Sequence, residues 1–174
     1  NPDFQPEVLG CLMNAFYGGR SEVRIRKTPV DVVVLDFLSM YPSVCILQDL
    51  WRFFIASKIE AQDDTEGVKQ FLEEVDLDHL AKPEIWKMLN AICLIEPDGD
   101  ILPARCAYGS ALTYNIGINH ITSNGGIWYS LADVIASKLL NGKVPKIVPA
   151  LRIVPLRVQS GLRPIDIIGG RTVD

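Results

Sequence analysis

An apolar stretch at residues 32–35 stands out in the first part of the chain. Its sequence, Val-Val-Val-Leu, shows no alternation of polar and apolar positions, and Asp36 follows it directly. Uninterrupted β-branched residues predict a strand that is buried on both faces. The pattern therefore predicts a buried strand that ends in a single carboxylate and leads through a short turn into the next element.

Helical periodicity begins after this turn. Pro42 suits the first position of a helix, and apolar residues then recur at a spacing of three or four. These residues are Val44, Leu47, Leu50, Trp51 and Phe54. The spacing predicts a helix that runs from Pro42 to about Ala61.

The same criteria divide the rest of the chain into helices and strands. The predicted elements are an extended lead-in at 1–9, a strand end or loop at 14–19, a half-exposed strand with a basic face at 21–27, a helix with Thr65 as its N-cap, a helix from Pro83 to Leu89, a β-hairpin of 92–96 and 101–107, a strand at 114–121, a helix at 128–140, and an extended segment with prolines at 144–164 that lies at a sheet edge or along a groove. The mixture predicts an α/β fold class.

Charge is unevenly distributed along the 174 residues, although the net charge is only −4. Residues 58–84 carry nine acidic side chains and three lysines, whereas residues 20–27 and 138–174 carry net charges of +3 and +5. An acidic segment between two basic ones fits a protein that contacts a polyanion on one side. An ordinary mixed surface gives a similar pattern, so both interpretations stay open. For Arg152, Arg157 and Arg163 in the extended segment, contact with a DNA backbone and protection of an edge strand by cations are both open.

The four cysteines are scattered and form no Cys-x-x-Cys pair, and the chain has only two histidines. A zinc site is therefore not expected, and reduced thiols in the cytoplasm are the default. No apolar run approaches the roughly 18 residues of a membrane span, so no membrane partner is expected. Because the chain begins Asn-Pro-Asp and ends without a closing element, we expect it to be a piece of a longer protein.

Asp36 is the first candidate for chemistry. A carboxylate at the end of a buried strand is costly unless a cation or hydrogen bonds compensate it, and strand ends are where ligands gather. A metal ligand and a simple cap of the following helix are both consistent with this position. Asp98 and Asp100 are a weaker pair, because Asp-Gly-Asp is more often a turn than a metal site.

Two short motifs extend this picture. Residues 36–43 (Asp-Phe-Leu-Ser-Met-Tyr-Pro-Ser) resemble the first catalytic motif of family B DNA polymerases, with Met40 in the place of the usual leucine. Upstream, Phe16-Tyr17-Gly18-Gly19-Arg20 is similar to the aromatic-x-Gly-Gly motif of the same family, and the run from Tyr17 to Val23 is most similar to its protein-primed branch. The resemblance covers roughly residues 10–55, which is under a third of the chain.

The resemblance implies a role for each motif residue. Asp36 would bind the catalytic metal ions, together with the backbone carbonyl of Phe37. Phe37, Leu38, Ser39, Met40 and Tyr41 would form the nucleotide site, where Ser39 and Met40 offer backbone N–H groups to the triphosphate and Tyr41 excludes a 2′-hydroxyl. Tyr17, Gly18, Gly19 and Arg20 would contact DNA.

The implied cofactor is Mg²⁺ in a two-metal site, which clamps the attacking and leaving oxygens of the transfer. The implied partners are a DNA template-primer, deoxynucleoside triphosphates and, from the protein-primed branch, a terminal protein primer. The second carboxylate motif of the family and its fingers motif are absent from this sequence. We therefore expect the chain alone not to synthesise DNA.

The resulting prediction is a partial polymerase domain of α/β, palm-type fold. It divides into a palm segment at 1–56 with both motifs, an acidic helical segment at 57–90, and a segment at 91–174 that continues the domain. The predicted function is template-directed nucleotidyl transfer by the full-length protein. A non-catalytic DNA-binding relative is the alternative, and a metal nuclease that uses Asp36 is a weaker one because it leaves the Ser-Met-Tyr-Pro-Ser continuation unexplained.

Overall fold

The computed structural model describes residues 2–19, 24–107, 110, 114–162, 165–167 and 171–173. The elements in these ranges are α1 (Pro6–Ala15), α2 (Met40–Leu47), α3 (Trp51–Ile55), β1 (Ala56–Asp63), α4 (Thr65–Glu74), α5 (Leu77–Leu80), α6 (Pro83–Trp86) with a 3₁₀ turn at Lys87–Leu89, β2 (Ala91–Ile95), β3 (Asp98–Ala107), β4 (Tyr114–Thr122), β5 (Ile127–Ser130), α7 (Leu131–Asn141), β6 (Ile147–Val158), β7 (Ile165–Ile167) and β8 (Arg171–Val173). The chain is thus a mixture of helices and strands, as the sequence predicts.

The main sheet has four strands in the order β1–β6–β2–β5, and every pair in it is antiparallel. β3 pairs with β4, and β7 pairs with β8, in two smaller antiparallel sheets. Helices pack beside an antiparallel sheet in this arrangement, which is typical of α+β proteins.

Strand β6 lies inside the main sheet rather than at its edge, so the predicted edge position of residues 144–164 is wrong. It pairs with β1 over residues 151–158 and with β2 over residues 147–152. Proline cannot donate a main-chain hydrogen bond and is therefore disfavoured in an interior strand. Pro149 and Pro155 are tolerated because each lies in a part of β6 that only one neighbouring strand flanks.

Both faces of the main sheet are covered, because successive side chains of a strand point to opposite faces. On β2, Cys93 and Ile95 belong to a core that α4 and α7 complete, whereas Ile92 belongs to a second core with α1. The predicted apolar face of α4 is confirmed, since Val68, Phe71, Leu72 and Val75 are all buried. Its N-cap is Asp64, one residue before the predicted Thr65.

The apolar stretch at 32–35 is not the predicted buried strand. Residues 29–37 form neither helix nor strand, and Val33 and Val34 are 84% and 88% exposed. A strand is stable only where a neighbour takes its main-chain hydrogen bonds, and none of the described strands pairs with this stretch. The predicted basic strand at 21–27 is also missing over residues 24–27, and residues 21–23 lie outside the described ranges.

The long helix predicted from Pro42 to about Ala61 is wrong in its second half. Asp49, with a φ of 58°, interrupts it, and residues 56–63 form β1. Pairing with β6 overrides the local helical spacing, because it satisfies the main chain and places Ile59 and Ala61 against the second core. The helix also begins at Met40, two residues before Pro42.

Three further predicted elements need correction. The strands at 92–96 and 101–107 exist but do not form a hairpin with each other, because β2 takes an interior place between β6 and β5. The helix predicted at 128–140 begins only at Leu131, since residues 127–130 pair with β2 as strand β5. The extended lead-in is wrong as well, because helix α1 begins at Pro6. The strand at 114–121 and the helix stop at Gly142, with a φ of 70°, are confirmed.

In the described part of the chain, no helix combines the length and the apolar character that crossing a membrane requires.

Truncation of Leu72 tests the core between α4 and the sheet. Leu72 is fully buried, so Leu72→Ala should lower the free energy of unfolding by about 2–5 kcal/mol through lost burial and the cavity that remains. Leu77 on the neighbouring helix is 71% exposed, and Leu77→Ala should change stability by less than about 0.5 kcal/mol. Urea denaturation of both variants measures the difference, and equal losses would contradict this packing.

The cysteines offer a second test of the fold. Burial in the centre of the sheet raises the pKa of the Cys93 thiol to about 12, whereas Cys106 is exposed. Because the thiolate is the reactive form, iodoacetamide at pH 8 should alkylate Cys106 and spare Cys93 until the chain unfolds. Mass spectrometry of the labelled peptides measures this order. Rapid labelling of Cys93 in the native protein would show that β2 is not interior.

Candidate nucleotide and DNA site

A cleft of about 470 Å³ brings the two sequence motifs together. Its lining residues are Ala15, Phe16, Tyr17, Gly18, Gly19, Met40, Tyr41, Ser130 and Asp133. Three of the predicted DNA-contacting residues and two of the predicted nucleotide-contacting residues therefore share one cavity. Arg20, the fourth residue predicted to contact DNA, lies outside the described residues.

The first wall of the cleft is the loop that follows α1. The helix ends at Ala15, whose side chain is buried, and Phe16 takes an extended conformation that turns the chain out of the helix. Gly18 has a φ of 77°, a conformation that side chains disfavour. The backbone conformation therefore favours glycine at position 18, while an added Cβ would meet only an ordinary contact with Ile116.

Packing of aromatic rings fixes this loop to the sheet. The ring of Tyr17 stacks on the ring of Tyr129 in β5, with centroids 5.2 Å apart and planes 8° from parallel. Tyr129 is almost completely buried. Burial raises the pKa of its phenol, and a hydrogen bond with Tyr17 raises that pKa further. The Tyr129 phenol therefore stays protonated at neutral pH and acts as a packing and hydrogen-bonding group.

The second wall is the start of α2. Ser39, with a φ of 54°, is the N-cap of this helix, and its carbonyl accepts the first main-chain bond, from Ser43. The N–H groups in the first turn of a helix have no acceptor inside the helix. Met40 is the first residue of α2, so its main-chain N–H is one of these groups. Pro42 lies in the same turn, where its missing N–H removes no helical hydrogen bond. Tyr41 is 79% exposed, so its ring is accessible from the cleft.

Asp36, Phe37 and Leu38 lie in the exposed stretch before α2 and do not line the cleft. The placement of Asp36 at the end of a buried strand is thus wrong, although its role as a metal ligand stays a prediction. Within the ranges that the structure describes, no group of three or more His, Cys, Asp or Glu side chains could hold a metal ion.

The third wall, Ser130 and Asp133, is not predicted from the sequence. The Ser130 hydroxyl accepts a hydrogen bond from the Asp133 main-chain N–H (3.2 Å) and donates one to the Asp133 carboxylate (2.8 Å). Ser130 is thereby the N-cap of α7. The Ser-x-x-Asp spacing before an apolar stripe is a signal for this cap, but the prediction that the helix already begins at residue 128 conceals it.

Other polar candidates are used inside the fold. The Arg152 guanidinium donates to the Asp64 carboxylate and to the Met88 carbonyl, so its role here is to join β6 to neighbouring elements. Asp100 is buried, accepts a hydrogen bond from the Asp98 main chain and lies 3.5 Å from the Lys143 ammonium group. A lysine already pairs with this carboxylate, which does not favour a metal site. The predicted turn is wrong as well, because residues 98–100 begin strand β3, with a register shift between Asp98 and Asp100.

Comparison with protein-family models, with curated proteins and with solved structures gave no match to this chain.

Substitution of Ser130, the N-cap of α7, and of Ser137 within the helix distinguishes the stabilising effect of capping from that of burial. Ser130→Ala should lower the free energy of unfolding by about 1 kcal/mol, because the N-terminal main chain of α7 loses its acceptor. Among the described residues, none is a hydrogen-bond partner of the buried Ser137 hydroxyl, so Ser137→Ala should be neutral or stabilising. Guanidinium denaturation compares the two, and a Ser130→Ala variant as stable as the native chain would contradict the cap.

Proposed function

We propose that this chain is the palm-type part of a family B-like DNA-directed DNA polymerase, in which it contributes to template-directed nucleotidyl transfer. The observation that carries the proposal is the shared cleft, because Tyr17, Gly18 and Gly19 meet Met40 and Tyr41 there. The two motifs are separated by about twenty residues in sequence. Their resemblance to polymerase motifs rests on sequence alone, so their proximity in the fold is independent support for the proposal.

The chemistry of the cleft supports a phosphate-bearing ligand. Gly18 and Gly19 are exposed and without side chains, so a polyanion can approach their backbone closely. The N-terminal end of α2 on the other wall adds N–H donors and the positive end of a helix dipole. In the proposal, the glycine loop follows the DNA backbone, and Ser39 and Met40 receive the triphosphate of the incoming nucleotide.

Tyr41 is proposed to select the sugar. Its exposed ring is a flat, stiff group beside the N–H donors of α2, and a wall of this kind can exclude a nucleotide with one additional hydroxyl. Phe37 and Leu38 are proposed to lie near the same nucleotide, with the Phe37 carbonyl beside the metal. Both side chains are exposed and can adopt a different environment when the ligand binds.

Asp36 is proposed as one of the carboxylates that hold two Mg²⁺ ions, with the second carboxylate supplied by a segment outside this sequence. Such ions stabilise the charge that develops on the attacking and leaving oxygens. The exposed position of Asp36 is compatible with this role, because a second segment can pack beside it.

Reduced thiols, as in the four free cysteines of the described chain, agree with a cytoplasmic protein.

A non-catalytic DNA-binding relative is the second candidate. The observation that favours it is the position of Asp36, which lies in an exposed stretch outside the cleft that the two motifs form. This candidate predicts salt-dependent binding of DNA through the cleft and no nucleotide incorporation, even in the longest polypeptide that contains the chain.

Substitution of Asp36 tests the catalytic proposal in the longer polypeptide that the proposal requires. Asp36→Asn should reduce metal-dependent primer extension by at least about 10³-fold, because a metal ligand stabilises the transition state by several kcal/mol, and should leave DNA affinity unchanged. Asp31→Asn, in the same exposed stretch, is the matched control and should extend primers normally. The 174-residue chain alone should bind template-primer DNA without extending it.

Normal extension by the Asp36→Asn variant would exclude the catalytic assignment. Absence of extension in the unsubstituted polypeptide, with DNA binding retained, would favour the non-catalytic relative. Primer extension by the 174-residue chain alone would show that the second carboxylate lies within it.

A further inference from the structure

We infer that Arg105 and Tyr129 are positioning residues for the Tyr17–Gly19 loop, so that strands β3 and β5 determine where this loop lies in the cleft. The expected effect on DNA binding rests on the proposed function. The positioning of the loop rests only on contacts between described residues. Neither Arg105 nor Tyr129 belongs to the two polymerase-like motifs.

Arg105 makes two contacts with the loop from strand β3. Its guanidinium group donates a hydrogen bond to the carbonyl of Phe16 and packs over the ring of Tyr17, 5.0 Å from the ring centroid. A guanidinium group can make both contacts at once, because it is planar and donates in its plane while its face packs on an aromatic ring. Lysine has the same charge but lacks this geometry.

Tyr129 provides a fixed platform for the same ring. It lies in β5, is buried with the core of α4 and α7, and stacks on Tyr17. Because a core side chain has little freedom to move, the ring of Tyr17 is held between the sheet and Arg105. Residues 16 and 17 are therefore fixed directly before Gly18, where the backbone takes its left-handed conformation.

This arrangement defines how the loop meets DNA. The ring of Tyr17 is already engaged by Tyr129 and Arg105, so less of its face is available for stacking on a base. The exposed part of the loop is the backbone of Gly18 and Gly19. The loop therefore contacts a phosphate through its backbone, and Arg105 acts through the loop rather than on the phosphate.

A pair of substitutions separates positioning from direct phosphate contact. Affinity of the 174-residue chain for a fluorescein-labelled template-primer duplex is measured by anisotropy over a range of salt concentrations, for the native chain, Arg105→Lys and Arg105→Gln. Lys82→Gln removes an exposed cation elsewhere and is the matched control. Backbone ¹⁵N order parameters of Gly18 and Gly19 are measured in the same proteins without DNA.

Positioning predicts that both Arg105 variants bind DNA about 10-fold more weakly, with the slope of log K against log salt unchanged, because no phosphate contact is lost. It also predicts that the order parameters of Gly18 and Gly19 fall from about 0.85 toward values below about 0.6. Lys82→Gln should change neither property. Arg105 is exposed, so the variants should keep the native melting temperature.

Direct contact predicts a different result. If Arg105→Lys binds normally while Arg105→Gln loses affinity and its salt slope decreases by about one, Arg105 contacts a phosphate and the inference is overturned. Unchanged order parameters in both variants would also overturn it. If the native chain binds no DNA, the proposed function fails, whereas the order parameters still decide the positioning inference.

Discussion

Main-chain pairing of β6 with two neighbours is the constraint on which the rest of the structure depends. Strand β6 pairs with β1 on one side and with β2 on the other, and β2 in turn pairs with β5. The hydrophobic cores on both faces of the sheet contain residues of these strands. The sheet therefore determines where α1, α4 and α7 pack. Without β6, β1 would have no partner in the main sheet and both cores would lose one wall.

The cleft depends on the sheet in turn. α1 packs against β2 and β5, which brings Tyr17 onto Tyr129, and α7 follows β5 directly through its cap at Ser130. Two walls of the cleft, the loop after α1 and the Ser130–Asp133 cap, are thus tied to β5, whereas the wall formed by α2 packs against α6. The proposed site is consequently a product of tertiary packing, since each motif alone is a short loop with few contacts of its own.

The sequence was informative where local signals agree with the final packing. The apolar face of α4, the helix stop at Gly142 and the strand at 114–121 follow from periodicity or from the special conformation of glycine. The strand β1, the interior position of β6 and the exposure of residues 32–35 could not be predicted. Each of these depends on which strands are available as partners, and pairing between distant segments leaves no local signal.

For the candidate site too, local features could be predicted from the sequence, whereas tertiary contacts could not. The two motifs could be found in the sequence, but their common cleft and the stack of Arg105, Tyr17 and Tyr129 arise from residues up to about a hundred positions apart. The Ser130 cap was detectable from its spacing with Asp133 and was concealed by a helix boundary placed three residues too early. Asp36 remains the predicted metal ligand, although its position in an exposed stretch differs from the expected strand end.

The most direct measurement is the change in amide chemical shifts when the 174-residue chain is titrated with template-primer DNA. If the cleft is the nucleic-acid interface, the largest changes occur in residues 16–19 and 39–41, on the two facing walls. Changes confined to the basic strand at 147–158, or spread evenly over the surface, would contradict a site formed by the two motifs.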